Sequence, residues 1–323
     1  METVVLKDLA KIYPGGKEAV KGISLTLRQG EVFGFLGPNG AGKTTTIKLL
    51  TGMLQPSAGR SRVMGQDPAV RPEKVHAVSG VLTEHAQMYD HMTGLENLLF
   101  YGGMFEIPEG ERKKRALDLL KKLELEEAAD RKLSAYSTGM RQRLSLARAI
   151  IHRPRVLFLD EPTSGLDPES GQNVNRLIRE MAQEEGTTVF LCTHQLRYAQ
   201  EICTRYGLID EGRLLAEGTL EELRKKVGTR SELRILAGNF PQDLQAAGNL
   251  LNCRWIREES EGLQGRNEKE CLLRTAIESR EEIPGIVRGI IKAGGDIYEV
   301  DVRRPDLEDI YFALTAKRGE GES

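Results

Sequence analysis

The run Gly37-Pro38-Asn39-Gly40-Ala41-Gly42-Lys43-Thr44 follows an apolar stretch, Val32 to Leu36, and opens a helix at Gly42, so strand, glycine-rich turn and helix N-terminus come in one short piece. That order makes a phosphate cradle. Glycines allow successive backbone N–H groups to curl round a polyphosphate, Lys43 has the reach to meet the β- and γ-phosphates, and the Thr44 hydroxyl is placed to ligate Mg²⁺ at the positive end of a helix. Thr45 continues the same turn and is counted with it. The expected ligand is ATP or GTP.

A second run, Val156 to Leu159, is continuously apolar, as a parallel strand buried on both faces should be, and it ends in Asp160-Glu161. Two carboxylates at the ligand-binding end of such a strand have separable tasks. Asp160 is expected to hold the Mg²⁺ shell and Glu161 to polarise the water that attacks the γ-phosphate. The plainer alternative is a pair of acids solvating a strand end; a neighbouring phosphate cradle favours the chemical reading.

At 323 residues the chain is long enough for two domains, and a core of that size needs no covalent staples. Charged residues make up 29% and balance to a net charge of −2, so no basic field draws the chain to nucleic acid or to an anionic bilayer. No apolar stretch approaches the ~20 residues needed to span a membrane, and Met1 to Leu6 lacks a basic region followed by an apolar one, which places the chain in the cytoplasm. Cys192, Cys203, Cys253 and Cys271 are too widely spaced for a local metal knuckle and read as small core hydrophobes.

Residues 3–36 read as short strands; in Ile23-Ser24-Leu25-Thr26-Leu27 the apolar side chains alternate, predicting a half-buried antiparallel sheet. From Thr93 to Ile151 the period becomes helical, beginning with the capping-box pattern Thr93-Gly94-Leu95-Glu96 and continuing with Ala116, Leu119, Leu120 and Leu123 on one stripe. A helix near Gln172 to Glu184, a strand Thr187 to Thr193 and a hairpin over Leu208 to Leu215 follow, and the first domain closes near Val227. Beyond Gly228 the pattern restarts: strand Glu232–Leu236, helix Gln242–Leu251, strand Cys253–Arg257, strand Glu270–Ala276, helix Ile286–Ala293, strand Asp296–Val302 and a last helix from Asp306. This β-α-β-β-α-β order predicts a ferredoxin-like domain over 228–318, with 319–323 a frayed tail.

Between the two phosphate motifs stands Tyr136-Ser137-Thr138-Gly139-Met140-Arg141-Gln142-Arg143, heading a helix with Leu144, Ala147 and Ile151 on one face. This octet resembles the signature of ABC-transporter ATPases. Ser164-Gly165-Leu166-Asp167 resembles their D-loop, His194 after an apolar strand their switch histidine, and Tyr13 the aromatic residue on which adenine stacks. The resemblance spans residues 1 to about 227. It implies an α/β P-loop cassette with a parallel core, an antiparallel β subdomain and a helical subdomain over about 93–151, joined to a small α+β ferredoxin-like module. It further implies that two cassettes pair head to tail, each lending the Ser137 hydroxyl and the Gly139 N–H to the other's γ-phosphate, with Asp167 nearby. His194 then holds the γ-phosphate and orients Glu161 or the water.

The chain departs from the family pattern in places. The usual Leu-Ser-Gly-Gly-Gln is here Tyr136, Ser137, Thr138, Gly139, Met140, which keeps both donors. The glutamine that meets Mg²⁺ and the permease should follow strand Val78–Leu82, where Glu84 stands, with Gln87 as the rival; a carboxylate serves as an oxygen ligand for Mg²⁺.

A single cassette with a C-terminal module ending in Arg303-Arg304-Pro305-Asp306 resembles bacterial drug-, antibiotic- and sodium-efflux ATPases. Those serve a separate permease chain, at the inner face of the cell membrane. A soluble ABC ATPase acting on DNA or ribosomes is the competing reading. It predicts two cassettes in one chain or a long coiled coil between the nucleotide motifs, and residues 45–155 hold no sustained heptads. A binding protein without turnover would lack a general base, whereas Glu161 is present.

Overall fold

A computed structural model of the chain describes residues 1–83, 88–228, 230–239, 256–258 and 270–321. It divides into two compact units, Met1–Leu223 and Arg224–Ser323.

The first unit is built on a six-stranded sheet whose central strands are β3 (Val32–Leu36), β6 (Val156–Asp160) and β7 (Thr188–Thr193), every residue of them buried. Outward from these lie β5 (Ser79–Leu82), β8 (Arg205–Asp210) and β9 (Arg213–Gly218), in the order β5-β6-β7-β3-β8-β9. All neighbours are parallel except the β8–β9 hairpin. Burial on both faces explains why β6 reads as an unbroken apolar run, and each such side chain contributes about 1.5–3 kcal/mol. Phe33, Phe35, Phe158 and Phe190 fill the centre, with the Phe35 and Phe190 rings 5.2 Å apart.

Register decides where the chemistry falls. Leu36 pairs with Thr193 and Asp160 with Cys192, so the last residues of β3, β6 and β7 end at one level of the sheet. The segments just beyond them, starting at Gly37, Glu161 and His194, therefore open onto a common edge, the usual ligand edge of a parallel sheet.

A second sheet, β2-β1-β4, is antiparallel. Its strands β1 (Glu2–Ile12) and β2 (Glu18–Arg28) are eleven residues each, longer than the short strands expected, and β4 (Ala58–Val63) was not anticipated. Ile23, Leu25 and Leu27 are buried while Ser24 is exposed, as the alternation requires.

Helix α1 (Lys43–Leu50) follows the glycine-rich turn, and α2 (Pro72–Val78) precedes β5. Helices α3 (Gly94–Met104), α4 (Glu109–Lys122) and α5 (Thr138–Ile150) fill the stretch read as helical. The Thr93–Glu96 capping box forms in both directions at the start of α3. On α4, Ala116 and Leu120 are buried. Helix α6 (Pro168–Gln183) starts four residues before the expected Gln172, because Asp167 caps it and proline suits the first helical position. A short α7 (Leu196–Ile202) follows β7.

Helix α8 (Leu220–Val227) spans the division between units. The second unit has a four-stranded sheet, β11-β12-β10-β13, from β10 (Ser231–Gly238), β11 (Ile256–Glu258), β12 (Glu270–Ile277) and β13 (Asp296–Arg303). All its pairs are antiparallel. Helix α9 (Ile283–Lys292) lies between β12 and β13 in sequence and packs Ile286 and Ile290 on Leu233, Ile235 and Leu273. The helix expected over 242–251 falls outside the described residues, as does Cys253; Cys192, Cys203 and Cys271 are buried. The last helix, α10 (Leu307–Gly321), continues past Gly319, so the stretch expected to fray is helical as far as Gly321.

Candidate nucleotide site

At the common strand edge lies a cleft of ≈370 Å³ whose walls include Asn39, Gly40, Gly42, Lys43, Thr44, Thr45, Asp160, Glu161 and His194. Two glycines are sterically required by the turn that shapes it. A Cβ on Gly37 would lie 2.1 Å from the Ile209 carbonyl oxygen; Gly42 has φ +108° and would bring a Cβ to 2.4 Å from the Ala19 oxygen. Gly37, Pro38 and Ala41 shape the turn without lining the cleft.

Lys43 is buried, and its ammonium donates to the carbonyls of Gly37 at 2.7 Å and Pro38 at 3.0 Å. The loop thus holds its own cation in place. The Thr44 hydroxyl donates to Asp160 Oδ2 at 2.7 Å, bridging residues 116 positions apart. Two of the three expected Mg²⁺ ligands, Thr44 and Asp160, are thus hard oxygens meeting at one point, the donor chemistry Mg²⁺ prefers.

Glu161 adopts φ 48°, a left-handed conformation that costs a non-glycine residue about 1–2 kcal/mol. The bend turns its side chain toward the end of β7. There Oε1 accepts from the His194 backbone N–H at 2.9 Å and from ring Nδ1 at 2.7 Å, and Oε2 accepts from the Thr193 hydroxyl at 2.8 Å. A carboxylate only accepts, so Nδ1 carries the hydrogen. Thr193 was missed at the sequence level; its signal was a hydroxyl immediately before the histidine.

Tyr13 lies just past the end of β1, half-buried on the cleft wall, with its hydroxyl 3.3 Å from Thr45 Oγ1. Ser164, the first residue of the D-loop-like run, also lines the cleft, as does Lys17, which was not singled out. Glu84 and Gln87 lie outside the described residues.

Ser137, Gly139 and Asp167 are not among the cleft's lining residues. Ser137 caps α5, its oxygen accepting the Met140 N–H at 3.2 Å, which leaves its own O–H as a donor. Within its own chain the Asp167 carboxylate caps α6, accepting the Ser170 N–H at 2.9 Å, and that bond lowers its pKa. Tyr136, in place of the usual leucine, is buried against Gly94 and donates its hydroxyl to the Ala128 carbonyl at 2.7 Å; burial raises its pKa. The departure at that position is structural.

A smaller cavity, ≈130 Å³, is bordered by Arg115, Lys122, Ile150, Leu177 and Met181. It contains no glycine-rich loop.

Comparison with known proteins identifies the family. The ABC transporter family profile matches residues 20–164. Daunorubicin resistance ATP-binding protein DrrA3 of Streptomyces coeruleorubidus is 34% identical over 314 residues, covering 97% of this chain and 96% of that protein. The chain belongs to the ABC transporter ATP-binding proteins. Linearmycin resistance ATP-binding protein LnrL of Bacillus subtilis (strain 168) is 37% identical over 69% of this chain and 71% of its own. Among solved structures, the ATP-binding subunit of an ABC transporter superposes with a TM-score of 0.66 at 28% identity, covering 70% of this chain and 93% of that one. The dimeric post-hydrolysis cassette MJ0796, bound to ADP and Pi, does so at 0.63 and 28%, covering 67% and 98%. This ABC protein is thus an ATP-binding cassette of the ATPase fold, and nothing in these likenesses favours the DNA or ribosome alternative. Among the described residues no helix is long and apolar enough to cross a membrane.

Proposed function

We propose that this cassette hydrolyses ATP with Mg²⁺ to power export through a separate permease, and that two copies pair head to tail around the nucleotide. The observation that carries the reading is a division of labour. The groups suited to bind and cleave a triphosphate meet in one cleft, while the donors at the start of α5 stand outside it.

The phosphates enter the loop Gly37–Thr44 and draw the Lys43 ammonium from its backbone carbonyls onto a stronger anionic partner. Thr44 and Asp160 would hold Mg²⁺, which supplies charge neutralisation to the β- and γ-phosphates. Tyr13 offers its ring to the base. Glu161 is the general base: once a water competes for Oε1 or Oε2, the carboxylate shifts from Thr193 and His194 and accepts the water's proton, while His194 remains at the γ-phosphate. The partner's Ser137 hydroxyl and Gly139 N–H close the open side of the γ-phosphate at a helix N-terminus. Cleavage removes the group the two copies share, and the pair opens. The relatives named for daunorubicin and linearmycin resistance support an exporter role. The cassette is then peripheral, held at the inner face of the membrane by its permease.

The test is Glu161→Gln. Turnover should fall by about 10²–10⁴ with ATP affinity retained, and Mg-ATP should convert the variant to a stable dimer in solution scattering. Unchanged turnover removes Glu161 from the mechanism; solitary molecules at saturating Mg-ATP, or a back-to-back pair, sink the head-to-tail reading.

A further inference from the structure

The helix that begins with Ser137 also reaches into its own chain's catalytic corner. Gln142, five residues on, sends its side-chain amide nitrogen to two successive carbonyls, Glu161 O at 3.1 Å and Pro162 O at 3.2 Å. The left-handed bend at Glu161 turns that carbonyl out of line, while the Glu161 N–H remains bonded to Cys192 O at 2.9 Å in the β7 direction. Ser164 N–H is the other donor to Glu161 O, at 3.1 Å.

A second contact joins the same pieces. Gly139 and Gln142 are three residues apart on α5, hence on one face. On that face a Cβ at Gly139 would stand 3.2 Å from the Gly165 carbonyl oxygen, and one at Gly165 would stand 3.2 Å from Thr138 Cγ2. The loop after Glu161 is therefore pressed against the first turn of α5 and tied to it by one forked amide.

Resting on the function proposed above, we infer that Gln142 is a positioning residue that couples the two sites of the dimer. The first turn of α5 meets the partner's γ-phosphate; Gln142 transmits the placement of that turn to the backbone of Glu161, whose carboxylate serves the phosphate in its own cleft. Occupancy of one site then sets the base of the other. The amide is suited to this because Nε2 donates and a carboxylate does not, so the isosteric Gln142→Glu faces two carbonyl oxygens with only acceptors.

The experiment compares wild type, Gln142→Glu and Gln142→Met, the last matching the side-chain length without a donor and guarding against misfolding of the charged variant. Steady-state hydrolysis against ATP concentration, equilibrium ATP affinity and thermal midpoint are measured on the full chain. Loss of the amide's two hydrogen bonds predicts a kcat about five- to a hundredfold lower in Gln142→Met and lower still in Gln142→Glu. ATP affinity and thermal midpoint should hold, and the Hill coefficient should fall toward one. In the Glu161→Gln background, Gln142→Met should still allow the Mg-ATP dimer. Wild-type kcat and cooperativity in both variants overturn the inference, as does a fall in ATP affinity and thermal midpoint in step with kcat, which marks a merely structural role. If Glu161→Gln alone leaves hydrolysis unchanged, the proposed function fails first and this inference with it.

Discussion

The cleft and the start of α5 are built to opposite specifications. In the cleft the groups proposed to bind and cleave ATP are already bonded to neighbours from their own chain: Lys43 to loop carbonyls, Thr44 to Asp160, Glu161 to Thr193 and His194. At the start of α5, Ser137 accepts its capping bond and keeps its O–H for an acceptor from elsewhere. The cleft is thus preorganised by strand register, and in the function proposed above the start of α5 acts on a second copy. The difference teaches that the proposed binding and closure are separable: the cleft's contacts are all local, and only the closure proposed for Ser137 and Gly139 calls for pairing.

The largest way to break the comparison is Lys43→Ala, which removes the cleft's buried cation. Hydrolysis should fall about 10²–10³-fold, on the scale of losing one preorganised donor to a developing charge, measured by phosphate release. Normal hydrolysis by this variant would contradict the cradle assignment.

Ser137→Asp sharpens the comparison from the other side. Aspartate caps a helix as well as serine, so α5 should stay intact, but it brings a negative charge where the partner's phosphate must dock. Hydrolysis should fall about 10–100-fold from the lost charged hydrogen bond alone, with nucleotide affinity of the isolated cassette retained. Mixing the two inactive chains should restore activity neither has alone, because a head-to-tail pair contains one site with an intact cleft and an intact Ser137. A mixture as inactive as its components would place both groups in a single site.

The smallest effect on hydrolysis at neutral pH concerns the joint between the regions, which is read instead as stability in acid. Just past the end of α5, His152 stacks on Phe105 at 3.7 Å between ring centres, and its Nε2 lies 3.1 Å from the Ser79 carbonyl of β5, so it ties the far end of the signature helix to the sheet. Burial pushes its pKa down to about 4, with Arg115 adding repulsion against the bond to Ser79. Because the folded pKa is depressed, the unfolded chain takes up the proton first as pH falls from the ordinary value of 6.5 toward 4. Stability should drop across that window by about 1.4 kcal/mol per pH unit from this group. Urea titrations of wild type and His152→Phe should diverge there and run parallel above it; identical acid slopes would remove His152 from the joint.

The cleft was legible in sequence where its chemistry is contiguous. Gly37 to Thr44 and Asp160-Glu161 each form a local unit, a turn or a strand end, whose conformation follows from a few adjacent residues. Gln142 was not legible as a partner of Glu161, because nineteen residues and a whole strand separate them. The start of α6 was read too late, at Gln172, although the Asp-Pro pair at 167–168 is itself a helix-start signal. Strand β4 went unseen because Ala58-Gly59-Arg60-Ser61-Arg62-Val63 has little apolar alternation; its pairing with β1 supplies the stability that local propensity does not.

Sequence by itself determined the phosphate loop, the buried parallel strands and the capped helices between them, because glycine sterics, apolar runs and N-caps act over a few residues. Tertiary structure alone decided that Thr44 meets Asp160, that Glu161 is held by Thr193 and His194, and that α5 is tied to the loop after Glu161. Those contacts depend on the register and order of parallel strands, and strand order is set by packing of the whole sheet rather than by any one segment.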